Sequence, residues 1–285
     1  MFLLIGYVII LAASVGTYAV HGSLAALFVP LEYLAIIGLM TGGFVAGNGG
    51  KAIKATLSAL PSVLKGSHFT KALYMDLLAM LFEILAKVRK EGLMSIEGDI
   101  ENPESSPIFS KYPSIAGDHH VMEFLTDYLR MMVGGNLNAF EIENLMDIEI
   151  ETHHQEAHLP AHIMSKVADS VPAFGIVVAV MGVVNVMGSV GEPPAVLGRM
   201  IGGALVGTFL GILVSYGFVA PIASQLEQKV EEGSKIFVCM KTVLLASMNG
   251  YAPQIAVEFG RKVLFSTERP TFSELEEDLK ARKGK

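Results

Sequence analysis

Charge is what this chain has least of: only 17% of its 285 residues are Asp, Glu, Lys or Arg, while 52% are hydrophobic. A soluble domain of this size carries about 25% charged residues, so the deficit argues against an ordinary soluble globule. Tryptophan is absent and Cys239 is the only cysteine, which excludes a disulfide framework and a thiolate cluster. The formal net charge is −7, so the basic surface that nucleic-acid binding requires is missing. A mean hydropathy of +0.50 excludes a disordered chain as well.

The deficit is local rather than spread out. Residues 1–31, 33–50, 170–191 and 200–226 contain no Asp, Glu, Lys or Arg, whereas 51–169 and 227–285 hold nearly all the charge. A helix crossing the hydrocarbon layer, roughly 30 Å thick, needs about 20 mostly apolar residues. Four spans are therefore expected, near 2–20, 31–49, 172–190 and 199–220. The first run has no basic segment ahead of it and is followed closely by a second, so it reads as a span and not as a cleaved signal. Ten Lys and Arg lie in 51–169 and ten in 221–285, leaving only Arg199 near the short connections. The bias of basic residues toward the cytoplasm then places both polar regions and both termini on that side. The expected fold is an all-α integral membrane protein. Residues 1–50 carry spans one and two, 51–169 a helical cytoplasmic domain, 170–222 spans three and four, and 223–285 a helical cytoplasmic tail.

Within the polar regions the patterning is helical. Lys71 to Lys90 is apolar on most of its circumference, which predicts a helix packed among others, ending in a basic cluster and broken by Gly92. Glu101 to Pro113 reads as a turn region, 118–133 and 139–166 as further helices, and Gln225 to Met248 as a long continuation of the fourth span. Thr271 and Glu274 have the spacing of a capping box that opens a last helix.

The apolar runs lack something more specific. An ionisable residue in mid-membrane is the usual mark of an ion path, and here only Glu32 stands at a span edge. Spans three and four offer Thr208, Ser215, Tyr216, Asn185 and Gly182 instead. If ions cross, a partner must bring the carboxylate. Gly203, Gly207, Gly211 and Ser215 recur at intervals of four, as do Gly38, Gly42, Ala46 and Gly50, so each set predicts a stripe for close helix packing, within the chain or with a partner. Pro172 and Pro221 fall at the inner ends of spans three and four; helix termination is the simpler expectation and a bend the other. His154, His158 and His162 could share one helix face with His153 beside them, but no zinc-protease pattern accompanies them, and a solvated face is the expected reading.

Several ordered motifs carry a resemblance over nearly the whole chain. They are 48–54 (NGGKAIK), 100–103 (IENP), 169–176 (DSVPAFGI), 207–212 (GTFLGI) and 249–253 (NGYAP). On these the sequence resembles the MotA stator subunits of the bacterial flagellar motor, within the MotA/TolQ/ExbB proton channels. The resemblance implies an inner-membrane protein with no enzyme activity and no cofactor. It implies a homo-pentamer around a dimer of MotB, whose membrane helix supplies an essential aspartate, and torque delivered to the rotor protein FliG. By the same resemblance Arg89 and Glu97, and less closely Glu149, match the charges that engage the rotor. Pro172 and Pro221 match the coupling prolines, and Thr208 a pore threonine near the ion. Sodium-driven relatives carry a second threonine where this chain has Ala179, so proton coupling is expected. The nearest alternative is an ExbB- or TolQ-like channel that energises envelope processes; four spans and the Arg89/Glu97 region favour the flagellar reading. A solute transporter would need a midplane site and internal repeats, which the sequence lacks.

Overall fold

In the computed structural model, residues 2–135 and 138–283 are described, and every regular element among them is helical. Three helices are long and apolar enough to cross a membrane: Phe2–Val20, Ala139–Met187 and Pro194–Met248. The fourth apolar helix, Pro30–Ala46, has 17 residues. At 1.5 Å per residue it reaches only about 26 Å, less than the full hydrocarbon thickness. Past its end the Asn48 side-chain amide donates to Phe44 O at 2.7 Å, Gly49 is extended, and Gly50 opens the next helix, Gly50–Ala59.

Two long rods form, one joining segments read as separate helices and one the expected continuation of the fourth span. The segments read as 139–166 and 172–190 are one 49-residue helix, Ala139–Met187. The fourth span and its continuation likewise join in Pro194–Met248, with a π turn at Ser215–Val219. Pro172 lies inside the first rod, as does Pro160, and Pro221 lies inside the second. Termination at these prolines was the simpler expectation, and the structure corrects it. A mid-helix proline costs one hydrogen bond and a clash with the carbonyl four residues back, but strong flanking helices can carry it. Ahead of Pro221 the helix is already widened, since Ala220 N–H donates to Ser215 O, five residues back.

The chain divides into two compact units, Met1–Gly66 with Ala157–Gln228, and Ser67–Glu156 with Lys229–Lys285. The first unit has a thin core that includes Ile36, Val171, Val178, Val206 and Leu210. Large apolar side chains on its outside stay uncovered, among them Phe2 at 82% and Val8 at 66% exposure. Such a surface suits lipid, where helices satisfy their own backbone polar groups.

The second unit has the thick core of a water-soluble domain. Six consecutive residues, Leu77 to Phe82, are buried, so the Lys71–Glu91 helix is covered all round, as its apolar circumference predicts. Thr70 caps its start by accepting from Leu73 N–H, and Gly92 ends it at φ 89°, a left-handed value that only glycine adopts without strain. Around it pack Phe124 and Leu125 of His119–Gly134, Met240 and Val243, Val257 of Pro253–Val263, and Leu275 of the last helix, Phe272–Lys283. The turn region 101–113 is more than a linker, because Phe109 and Tyr112 anchor it in this core. The capping box forms as the spacing predicts: Thr271 N–H donates to Glu274 and Glu274 N–H to the Thr271 hydroxyl.

Candidate functional site

The first unit holds the residues expected along an ion path. Its two apolar helix segments, around 168–182 and 204–215, meet on glycine. A Cβ at Gly175 would lie 2.8 Å from Gly207 O and 2.9 Å from Gly211 Cα, and one at Gly211 would lie 2.8 Å from Gly175 Cα. Gly182 abuts Ala204 in the same way. Of the two predicted stripes, one is therefore used here: Gly207, Gly211 and Ser215 face the neighbouring helix, although Gly203 meets nothing within 4 Å. The other is not. A Cβ at Gly38, Gly42 or Gly50 would meet nothing within 4 Å among the described residues, and Gly43 instead seats the Phe174 ring. The helix ends at Ala46, so Gly50 is off the helix that would have kept the four in line.

Ala179 lies at this crossing, and Thr208 follows the glycine that meets it. A Cβ on Gly207, next to Thr208, would sit 3.3 Å from Ala179 N. Thr208 is partly exposed, and its hydroxyl makes no hydrogen bond among the described residues. Ser215, the other span hydroxyl named from the sequence, is different. It is fully buried and donates to Ala168 O at 2.6 Å. Ala168 stands four residues before Pro172, so this is the carbonyl that the missing Pro172 N–H leaves without its helical donor. Near Pro221 the Tyr7 hydroxyl donates to Phe218 O at 2.8 Å. In the same unit a cavity of about 240 Å³ is lined by His158, His162, Asp169 and Glu227, with His158 Nε2 3.4 Å from a Glu227 carboxylate oxygen.

The second unit holds the charged residues matched to the rotor. Arg89 closes the last turn of Lys71–Glu91, is exposed, and makes no ion pair among the described residues. It borders an open groove with Lys90, Ala252, Pro253 and Gln254. Glu97 begins the short helix Glu97–Glu101 and is likewise exposed without an ion pair among the described residues. What fixes the Glu97 segment is its neighbour Asp99, 6% exposed. Lys87 donates to one Asp99 oxygen at 2.7 Å and the Ser106 hydroxyl to the other at 2.6 Å. The Ser106 oxygen accepts in turn from the N–H groups of Ile108 and Phe109. Glu149 is engaged rather than free: the Tyr128 hydroxyl donates to it at 2.7 Å, and burial followed by this carboxylate pushes the Tyr128 phenol pKa up.

The histidines do not converge. His154 Nδ1 lies 2.9 Å from the Ser234 hydroxyl, and the His153 ring sits 4.6 Å from Phe237 and 5.9 Å from His120. Burial, then the neighbouring His120, lowers the His153 pKa. Among the described residues no three His, Cys, Asp or Glu side chains are placed to hold a metal ion. Cys239 is fully buried, and burial drives its thiol pKa up, away from the thiolate that reactivity requires.

Sequence reasoning missed the Lys87–Asp99–Ser106 network, the Ser215 cap and a buried Arg261. The Arg261 guanidinium bonds Glu258 at 2.8 Å and Pro270 O at 3.0 Å. Only the i, i+3 spacing of Glu258 and Arg261 left a trace in sequence, whereas the other partners join distant segments.

Residues 4–92 match the motility protein A N-terminal family and residues 117–237 the MotA/TolQ/ExbB proton channel family. Motility protein A of Escherichia coli (strain K12) is 54% identical over 285 residues, covering 100% of this chain and 97% of that one. Chemotaxis protein LafT of Vibrio parahaemolyticus is 33% identical, covering 98% of this chain and 99% of that protein. Among solved structures, the flagellar MotAB stator complex from Bacillus subtilis superposes with a TM-score of 0.74 at 27% identity, over 96% of this chain and 98% of that one. An apolar helix crossing built on glycine, with no carboxylate of its own, is thus placed by sequence and by fold: the chain belongs to the motility protein A family of the MotA/TolQ/ExbB proton channels.

Proposed function

We propose that this chain is a stator subunit of a flagellar motor, which with a MotB-type partner forms a proton-conducting channel and turns ion-motive force into torque on the rotor protein FliG. The observation that carries the reading is the glycine crossing of residues 175, 207 and 211, which offers the Thr208 hydroxyl and no acid of its own. A proton then needs a carboxylate from outside the chain. We place Pro30–Ala46 beside the three longer helices as the remaining span, with both polar regions and both termini in the cytoplasm. Five copies would surround a MotB dimer.

The physical logic follows from charge. A carboxylate facing this crossing changes from charged to neutral when it binds a proton, and in a low-dielectric setting that alters its attraction to hydroxyl and backbone dipoles by several kcal/mol. Each elementary charge crossing 100 mV supplies roughly 2.3 kcal/mol. Exposed charge contacts such as those Arg89 and Glu97 can make are worth about 0–1 kcal/mol, weak enough to release at each step. At position 179 an alanine replaces a hydroxyl ligand, which disfavours a dehydrated sodium ion and leaves a proton unaffected. Co-expression with a MotB-type protein in a stator-less strain tests the assignment: restored swimming is expected, and a paralysed strain with assembled complex would overturn it. Swimming in sodium-free medium at fixed pH tests the ion, since loss of motility there would refute proton coupling.

A further inference from the structure

We propose that Ser215 is a positioning residue of the torque cycle: its hydroxyl replaces the helical hydrogen bond that Pro172 removes, and so ties the proline break of one apolar helix to the π turn of the other. The inference rests on the stator reading for its consequence in motion, but its geometry stands independently. Pro172 has no N–H, so Ala168 O, four residues earlier, loses its helical donor, and Ala168 itself is buried. A buried carbonyl left without a donor is destabilising, so such groups are nearly always satisfied. Here the donor is the Ser215 hydroxyl, at 2.6 Å and fully buried. Ser215 is itself the first residue of the π turn Ser215–Val219, and its own carbonyl accepts from Ala220 N–H, next to Pro221. One residue thus joins the two helix irregularities, 43 positions apart in sequence. Gly211, one turn away, brings the backbones close enough for this bond to form.

The arrangement has a mechanical reading. An α-helical N–H···O=C bond runs along its own helix and stiffens it, whereas this bond runs across to the partner helix. The Pro172 break can bend, but only with the segment that carries Ser215. A bend at one proline is therefore transmitted to the other helix instead of being absorbed locally.

The test is a double-substitution cycle on the full complex with its MotB-type partner. Ser215→Ala should lower the Tm of the purified complex by several degrees and reduce torque and swimming speed at normal membrane levels of the complex. Pro172→Ala restores the N–H at 172, so adding Ser215→Ala in that background should leave Tm unchanged. A Ser215→Ala complex that fails to assemble, but assembles again as Pro172→Ala/Ser215→Ala, supports the same conclusion. Equal losses of Tm in both backgrounds, a double variant that also fails to assemble, or full torque from assembled Ser215→Ala would each overturn it. Failure of the unsubstituted complex to drive swimming is a separate outcome, which refutes the stator reading instead.

Discussion

Replacing Gly211 with alanine adds a single methyl group at the point where two apolar helices come closest. That methyl carbon would start 2.8 Å from Gly175 Cα, 3.1 Å from Val171 O and 3.2 Å from Gly175 N. Carbon atoms rest about 3.5–4.0 Å apart, and the obstacles are backbone atoms that cannot rotate away. The helices must therefore separate locally by several tenths of an ångström, and overpacking of this kind costs about 1–3 kcal/mol. The neighbouring Ser215 to Ala168 bond, 2.6 Å long, lies one turn along the same crossing and would lengthen with it. Its net contribution adds about 0.5–1.5 kcal/mol. A total of about 1.5–4.5 kcal/mol is a large share of the stability of any single folded unit. The assay is thermal unfolding of the purified complex, read beside its level in membranes. Gly43→Ala is the graded comparison, because it meets only the Phe174 ring at 3.2 Å and a ring can shift. A Gly211→Ala complex that melts with the unsubstituted protein, or Gly43→Ala melting well below it, would refute the packing argument.

Four further outcomes follow from individual contacts. Asp99→Ala strands Lys87 and the Ser106 hydroxyl, so it should destabilise the polar unit by about 1–3 kcal/mol and reduce torque although Glu97 is untouched, as denaturant titration and swimming assays would report. Arg89→Glu alters an exposed side chain with no ion pair among the described residues, so stability should change by less than about 0.5 kcal/mol while motility is crippled; normal swimming would remove Arg89 from the rotor contact. The Glu274 pKa is lowered to about 2, first by its bond to Lys71 and then by Thr271. A lowered carboxyl pKa stabilises above the ordinary value of 4.5 and loses that stability as pH falls toward 2, so docking of the last helix should weaken across that acidic window, seen as faster hydrogen exchange in 272–283. His153 also has a lowered pKa, so it favours the folded state while neutral; that stability is lost as pH falls below its ordinary 6.5, and His153→Gln should flatten the acid limb of unfolding.

Much of the architecture was legible because it follows from local pattern. The runs without charge marked the apolar helices, the all-round apolar circumference of residues 71–90 marked the central helix of the polar unit, and Thr271 with Glu274 marked a cap that forms. Helix ends at proline were misjudged for a physical reason. A proline weakens one turn, and whether the helix continues depends on what lies on either side and on a donor supplied from elsewhere. The stripe at 38, 42, 46 and 50 loses its last member because intervals of four matter only while the helix lasts, and it ends at Ala46; the other three stay on one helix, where a Cβ at Gly38 or Gly42 would meet nothing within 4 Å among the described residues.

By itself the sequence determined that this is a helical membrane protein whose third and fourth apolar runs lack a carboxylate, because both properties depend only on which residues follow one another. Its motifs also carried the family. Only the tertiary structure decided which glycines touch, that Asp99 is the anchor beneath Glu97, and that Ser215 answers the gap left by Pro172. Those facts belong to pairs of residues brought together from distant parts of the chain, and no spacing along one helix encodes them.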